Sequence, residues 1–142
     1  MPANDPAILS AARILRRGGI AAFPTETVYG LGAAIHKPQA AARVFEVKRR
    51  PRFDPLIVHI SHASDLHRVA RSNDLAKRLA EVFWPGPLTL VLPKKEAVPD
   101  IVTAGLPTVA VRVPDHDVAL RLIELAGHPV AAPRDRKSTR LN

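Results

Sequence analysis

Residues 48–60 read KRRPRFDPLIVHI, a cluster of cations and prolines followed by an apolar run. Four cations stand at positions 48, 49, 50 and 52, and prolines at 51 and 55 fix φ and restrict the residues before them. An apolar, strand-like run over 56–60 follows directly. A stiff loop of this kind can hold guanidinium groups for a phosphate or carboxylate, although a solvated basic loop at a helix C-terminus has the same composition.

The segments on either side of this stretch alternate between helical and strand-like patterns. Apolar spacing and capping residues predict helices that begin after Asn4 or Asp5, at Pro38, after Asn73 and after Asp115. Strand-like runs fall at 20–23, 56–60, 88–92, 108–113 and 129–133. The helix after Asn73 is expected to turn Leu75, Leu79 and Val82 inward. This order of elements is typical of an α/β domain.

The composition limits the class of protein. The 142 residues, of which 46% are hydrophobic, suffice for one domain with its own core. Because there is no cysteine, disulfides, thiolate metal sites and a cysteine nucleophile are excluded. The sequence shows neither an apolar run long enough to span a membrane nor a secretory signal, so we expect a cytoplasmic protein with no membrane partner. The net charge of +8 favours polyanionic partners such as nucleotides or nucleic acid.

The loop predicted at residues 24–32 carries two threonines, one glutamate and two glycines directly after a strand. Loops at strand ends are where α/β folds bind ligands. Ile35 stands where a dinucleotide fingerprint needs its third glycine, and no Gly-Lys-Ser/Thr phosphate loop occurs. A nucleotide would therefore be bound by some other device.

Two strand residues are candidates for a polar site. In the run from 108 to 113, Arg112 shares a face with Thr108 and Ala110, and a guanidinium in an apolar strand requires a bound anion or an acidic partner. His59 shares a face with Ile57. Because a satisfied structural histidine is more common than a ligand, the spacing of His59 and His62 predicts no metal site.

Several motifs occur together in one order. They are PTETVYGLG at 24–32, Lys-x-Arg-Pro-x-x-x-Pro-Leu at 48–56, WPGPLT at 84–89, TAG at 103–105 and VRVP at 111–114. This set resembles the YrdC-like family of threonylcarbamoyl-AMP synthases. The resemblance covers residues 8–133 and implies an open, twisted α/β sheet with flanking helices and a concave basic face.

The resemblance implies a nucleotidyltransferase that forms threonylcarbamoyl-AMP and pyrophosphate from L-threonine, bicarbonate and ATP, for the threonylcarbamoyladenosine modification of tRNA. It implies that ATP brings Mg²⁺ on its triphosphate, and that tRNA and downstream threonylcarbamoyl-transfer proteins are partners. The matching positions for catalysis and phosphate binding are Lys48 and Arg50. Those for the rest of the nucleotide are Asp54, Thr108 and Ala132. Those for threonine are Thr27, His59 and Arg112. We expect the basic loop and Arg112 to converge on one cleft.

Asp54 departs from the family, which usually has Asn or a similar polar residue there. The alternative function is a non-catalytic module of the same fold that binds double-stranded RNA or tRNA, although Trp84 and Tyr29 are too few and scattered for base stacking. The related carbamoyl-transfer domain of hydrogenase maturation proteins occurs in longer chains with cysteine-rich zinc modules, and this chain has no cysteine.

The resemblance ends at Pro133. Arg134 and Arg136 replace a serine and an asparagine of the family, and the tail has no apolar period. We therefore expect a YrdC-like domain at 1–133 whose C-terminal part is missing, and a non-native tail at 134–142. We also expect this chain to be impaired in stability and synthase activity, because the missing residues belong to the substrate pocket.

Overall fold

The computed structural model describes residues 5–24, 29–49 and 51–133, and in this part of the chain a six-stranded sheet lies between helices. The helices are α1 (Pro6–Arg16), α2 (Pro38–Val47), α3 (Asp74–Phe83) and α4 (Asp117–Ala126), with a short 3₁₀ helix at Ala63–Arg68. The strands are β1 (Ala21–Pro24), β2 (Tyr29–Ala34), β3 (Ile57–His59), β4 (Leu90–Pro93), β5 (Thr108–Arg112) and β6 (Val130–Ala132). The predicted α/β class with an open sheet and flanking helices is confirmed.

The strands lie in the order β1-β2-β6-β3-β5-β4. β3 and β5 run parallel, while the other described neighbours are antiparallel. The central strand β3 therefore pairs with β6 on one side and with β5 on the other. This arrangement brings three segments that are far apart in the sequence into hydrogen-bonded contact.

The two faces of the sheet have separate cores. On one face, α2 and α3 pack through Phe45 and Ala80 against strand residues such as Val58 and Val111. We call this the α2/α3 face. On the other, the α1/α4 face, helices α1 and α4 cover Phe23 and the neighbouring residues of β1 and β6. Because side chains alternate along a strand, the residues next to Val58 and Val111 belong to the α1/α4 face.

Strand β2 corrects the predicted loop at 24–32. Residues Tyr29–Ala34 form a strand that pairs antiparallel with β1 and β6. The sequence hid this strand because two glycines lower strand propensity. The structure needs a glycine at position 32, since a Cβ there would lie 2.7 Å from Cγ1 of Val130. The close approach of β6 explains why a glycine lies within the strand.

Helix starts were predicted correctly at three of the four helices, including α2, which begins at Pro38. Asp5 caps α1 by accepting from the N–H of Ala7 at 2.8 Å, and Asn73 caps α3 by accepting from Ala76 at 2.8 Å. The predicted cap of α4 is wrong by one residue. His116, rather than Asp115, has extended cap geometry, and its Nδ1 accepts from the N–H groups of α4.

The predicted inward face of α3 is only partly right, because Leu79 packs against the core but Leu75 and Val82 do not. Ala76 and Ala80 are buried, whereas Leu75 and Val82 are 64% and 73% exposed. Small residues allow the helix axis to approach the sheet closely, so the helix is rotated relative to the pattern of its leucines. The hydrophobic period predicted the helix but only part of the face that packs.

None of the helices in the described ranges is long and apolar enough to cross a bilayer.

Two histidines stack where the turn after β2 meets the turn before β6. The rings of His36 and His128 have centroids 3.7 Å apart and planes 22° apart. Burial lowers the pKa of His36 below its ordinary 6.5, with further lowering by His128 and Lys37. Burial also lowers the pKa of His128, as do Arg68 and Lys37. The fold therefore favours neutral rings, and as the pH falls below 6.5 these two rings bind more protons in the unfolded chain than in the folded chain.

We predict that the free energy of unfolding decreases as the pH falls below about 6.5 and through the lowered pKa values of the pair, because protonation favours the unfolded chain. In the His128→Phe variant a ring that cannot be protonated keeps the stacking position. Its melting temperature should fall less than that of the parent between about pH 7.5 and pH 5.5.

The matched control is His67→Gln, which changes an exposed histidine of the 3₁₀ helix. This variant should show the parent's pH dependence. An equal fall in melting temperature with pH for the parent and for His128→Phe would contradict the prediction.

Candidate functional site

The register of β3 places His59 and Arg112 side by side. His59 pairs with Arg112 on β5 and with Val130 on β6. Directly paired residues of neighbouring strands point to the same face, and strands lie about 4.8 Å apart. His59 and Arg112 therefore form a polar pair at the C-terminal ends of two parallel strands, on the α1/α4 face.

His59 is held in one orientation. Its side chain is 2% exposed, and its Nδ1 lies 3.1 Å from the carbonyl oxygen of Ile57 and 3.3 Å from that of Val130. The ring of Phe23 meets it edge to face at 4.8 Å. Because carbonyl oxygens only accept hydrogen bonds, Nδ1 carries the proton. In the neutral ring Nε2 is then the acceptor.

Arg112 is half-buried and is oriented by the turn that carries the tryptophan. Its Nη2 donates to the carbonyl oxygen of Gly86 at 3.1 Å. The N–H of Gly86 donates to the carbonyl oxygen of Val113 at 2.9 Å. The turn is therefore bonded both to the side chain of Arg112 and to the backbone of the residue that follows it. Trp84 anchors this turn, because its ring packs in the core and its Nε1 donates to Leu88 at 2.8 Å.

The predicted nucleotide residues of β5 and β6 lie further along the same face. Ile57 pairs with Ala110 on one side and with Ala132 on the other. Thr108 and Arg112 lie four positions apart on β5, which corresponds to about 13 Å at the usual strand rise. Thr108 and Ala110 are partly exposed, and Val91 beside Ala110 is 63% exposed. This part of the α1/α4 face is therefore open.

The basic loop enters the sheet at the other end of β3. Lys48 is the exposed C-cap of α2, and α2 packs on the α2/α3 face. Asp54 is half-buried, and the N–H of Leu56 ties the loop to the carbonyl oxygen of Val102 at 2.9 Å. Convergence of Lys48 and Arg112 on one cleft stays a prediction. Thr27, Arg50 and the tail at 134–142 lie outside the described residues.

His62 does not join His59. Its Nε2 lies 3.0 Å from Oε2 of Glu124 on α4. This pair lies between two shallow cavities of about 250 Å³ and 370 Å³, both of which Ser61 also lines. Within the described ranges, no three His, Asp or Glu side chains form a group that could hold a metal ion.

Sequence reasoning missed the oxygen acceptors of this site. The carbonyl of Gly86 orients Arg112, and those of Ile57 and Val130 orient His59. The Trp-Pro-Gly-Pro sequence at 84–87 forms a turn whose tryptophan packs in the core. Its contact with Arg112 depends on long-range docking, for which the sequence carries no local signal.

The six-stranded open sheet with helices on both faces defines a domain of the α/β class. The Sua5/YciO/YrdC family model, described as telomere recombination, matches residues 13–140, and the chain belongs to this family.

Its relatives include synthases from two organisms. The threonylcarbamoyl-AMP synthase of Pyrococcus abyssi is 55% identical over 124 residues, which make up 87% of this chain and 36% of that protein. The threonylcarbamoyl-AMP synthase of Bacillus subtilis is 52% identical over 132 residues, or 92% of this chain and 38% of that protein. The chain thus spans little more than a third of the length of these relatives.

A solved structure confirms the fold. The crystal structure of P. abyssi Sua5 complexed with L-threonine matches with a TM-score of 0.86 and 54% identity, over 89% of this chain and 37% of that one.

The Gly86 turn gives a prediction about stability. A Cβ at Gly86 would lie 2.6 Å from the carbonyl oxygen of Phe83, so the turn must shift in the Gly86→Ala variant. Because this overpacks a closely tied turn, we expect the free energy of unfolding to fall by about 1–3 kcal/mol in urea denaturation.

Gly30→Ala is the matched control, since a Cβ at Gly30 would meet no atom within 4 Å. Replacing a strand glycine in open space should stabilise by up to about 1 kcal/mol. Equal effects of the two substitutions would show that the close approach at Gly86 does not constrain the turn.

Proposed function

We propose that this chain is the catalytic domain of a threonylcarbamoyl-AMP synthase, a nucleotidyltransferase that joins L-threonine, bicarbonate and ATP. The observation that carries this proposal is the pairing of buried His59 with half-buried Arg112 at the ends of β3 and β5, next to the open part of the α1/α4 face. The family membership and the L-threonine complex of the P. abyssi relative support it.

Arg112 binds the carboxylate of threonine in this proposal. A guanidinium presents a planar fork of donors that matches a carboxylate, and its bond to Gly86 fixes the direction in which it points. His59 pairs with Arg112 across the sheet, with the proton on Nδ1, and is the second threonine-binding residue that the family resemblance implies. Thr27 is the third threonine-binding residue that the family resemblance implies.

Lys48 and Arg50 bind the phosphates of ATP, and Asp54, Thr108 and Ala132 contact the nucleotide. Thr108 lies on the same face as Arg112, about 13 Å away along β5. This separation allows the amino acid and the nucleotide to bind side by side. Mg²⁺ enters with ATP as part of the substrate, on the triphosphate.

The chemistry needs positive charge and alignment more than a dedicated base. The amine of threonine combines with bicarbonate to give a carbamate and water. A carbamate oxygen then forms a bond to the α-phosphorus of ATP, and the bond from this phosphorus to the bridging oxygen breaks. Pyrophosphate leaves with the electron pair. Lys48 and Arg50 bring two anions together and offset the charge that develops on the phosphates.

The product is the activated precursor for threonylcarbamoylation of tRNA, and a downstream transfer protein consumes it. This role places the protein in the cytoplasm.

The function is tested by calorimetry and by pyrophosphate release. We expect the chain to bind L-threonine and ATP saturably, and any pyrophosphate release to require threonine and bicarbonate together. L-valine, which has a methyl group in place of the hydroxyl, should bind about tenfold or more weakly, because a polar group of the site is then left unpaired. Salt-sensitive RNA binding with no affinity for threonine or ATP would instead favour the non-catalytic RNA-binding module.

Two substitutions should each weaken the binding of one substrate and leave the binding of the other unchanged. Arg112→Lys keeps the charge but loses the fork, so we expect the affinity for threonine to fall about tenfold or more while that for ATP changes little. Lys48→Glu places a negative charge beside the phosphates. It should lower the affinity for ATP by about tenfold or more, with little change in the affinity for threonine. Each affinity is measured by calorimetry with one ligand at a time.

Lys77→Glu on α3 is the control for charge reversal, because Lys77 is an exposed lysine outside the basic loop and outside the proposed ligand-binding residues. It should leave both affinities unchanged. If Lys48→Glu has no more effect on ATP than Lys77→Glu, Lys48 is not a phosphate ligand.

A further inference from the structure

A cross-strand row of small and branched residues lies between the two proposed substrate positions. The register aligns Ala132, Ile57, Ala110 and Val91 across β6, β3, β5 and β4. On β5, Ala110 stands midway between Thr108 and Arg112, about 6.5 Å from each along the strand. The row is therefore the part of the face that a molecule contacting both ends must cross.

Ala110 is the accessible small residue of this row. Ala132 is 1% exposed and packs with the α1/α4 core, whereas Ala110 is half-buried. Ile57 is 8% exposed, and Val91 lies at the outer edge of the sheet on β4. The room above the middle of β5 thus depends on the size of the side chain at position 110.

The two reacting atoms must approach each other most closely above this row of residues. The carbamate oxygen and the α-phosphorus must come within roughly 3–3.5 Å before the new bond forms. The phosphorus then holds the incoming oxygen, the leaving oxygen and three further oxygens, so the transition state occupies more space there than either bound substrate.

We propose that Ala110 forms the floor of the position where threonine and the nucleotide are joined, and that its small side chain provides the clearance for the joined product. The inference rests on the proposed function and adds a residue that determines whether two bound substrates can meet. A larger residue at 110 leaves both end positions intact and obstructs the space between them.

The test uses three ligands: L-threonine, ATP, and a non-hydrolysable mimic of threonylcarbamoyl-AMP in which threonine and adenosine are covalently joined. In the Ala110→Val variant, threonine and ATP should each bind within about threefold of the parent. The joined mimic should bind about tenfold to a hundredfold more weakly, the range expected for overpacking by two methyl groups. Where the parent releases pyrophosphate, the variant should lose that activity by a similar factor or more.

The chain offers a matched control in the same row. Val91→Leu enlarges the neighbour of Ala110 at the exposed edge and should leave the affinities for all three ligands unchanged. Circular dichroism and melting temperature establish that each variant folds; valine suits a β-strand. If Ala110→Val does not fold, the series Ala110→Gly, parent and Ala110→Ser replaces it, and affinity for the mimic should fall in that order of side-chain size.

The outcomes distinguish this inference from the proposed function. If the parent binds neither threonine nor ATP, the proposed function is wrong and the inference falls with it. If the parent binds both substrates, and a larger residue at 110 lowers the affinity for the mimic no more than the affinities for threonine and ATP, the inference alone is overturned. A loss specific to the joined mimic supports both.

Discussion

The candidate site depends on the register with which β3 pairs with its two neighbours. Pairing with β5 puts His59 beside Arg112, and pairing with β6 places the carbonyl of Val130 against the imidazole. A slip of one residue would turn every side chain of a strand to the opposite face. Arg112 would then enter the core that Val44 and Phe45 fill on the α2/α3 face, where an ionised side chain is costly. The alternation of apolar residues on β5 therefore protects both the core and the site.

Which side chains lie together on this face could be predicted from the sequence, but the contacts that orient them could not. Alternation along one strand was enough to place Thr108, Ala110 and Arg112 on one face, because that pattern is local. The glycine-containing strand β2 could not be predicted, since Gly32 is explained by the approach of β6, a segment about 100 residues away in the chain. The same holds for the carbonyl groups that orient His59 and Arg112, because every residue has such a group and only the tertiary fold selects which are used.

The basic loop shows the same division between local and long-range information. Its prolines and cations predicted a stiff, positively charged connection, and the helix before it begins at Pro38 as expected. Where the charges lie relative to Arg112 depends on the packing of α2 across the sheet and on the hydrogen bond from Leu56 to Val102. Neither has a signature within the loop. Composition thus predicted the kind of ligand, whereas the position of the ligand depends on how separate segments dock.

Small residues have three different roles in this fold, and burial separates them. Ala76 and Ala80 let a helix approach the sheet, so their size serves packing, whereas Leu75 of the same helix is exposed. Gly32 lets one strand approach another, and a single added carbon would meet Val130. Ala110 is half-buried and is not among the residues that form or pack against either core, so neither packing role explains its size. In a sequence these positions look alike. In the structure the partly exposed alanine, between a threonine and an arginine on the same strand, is the one whose size a ligand would select.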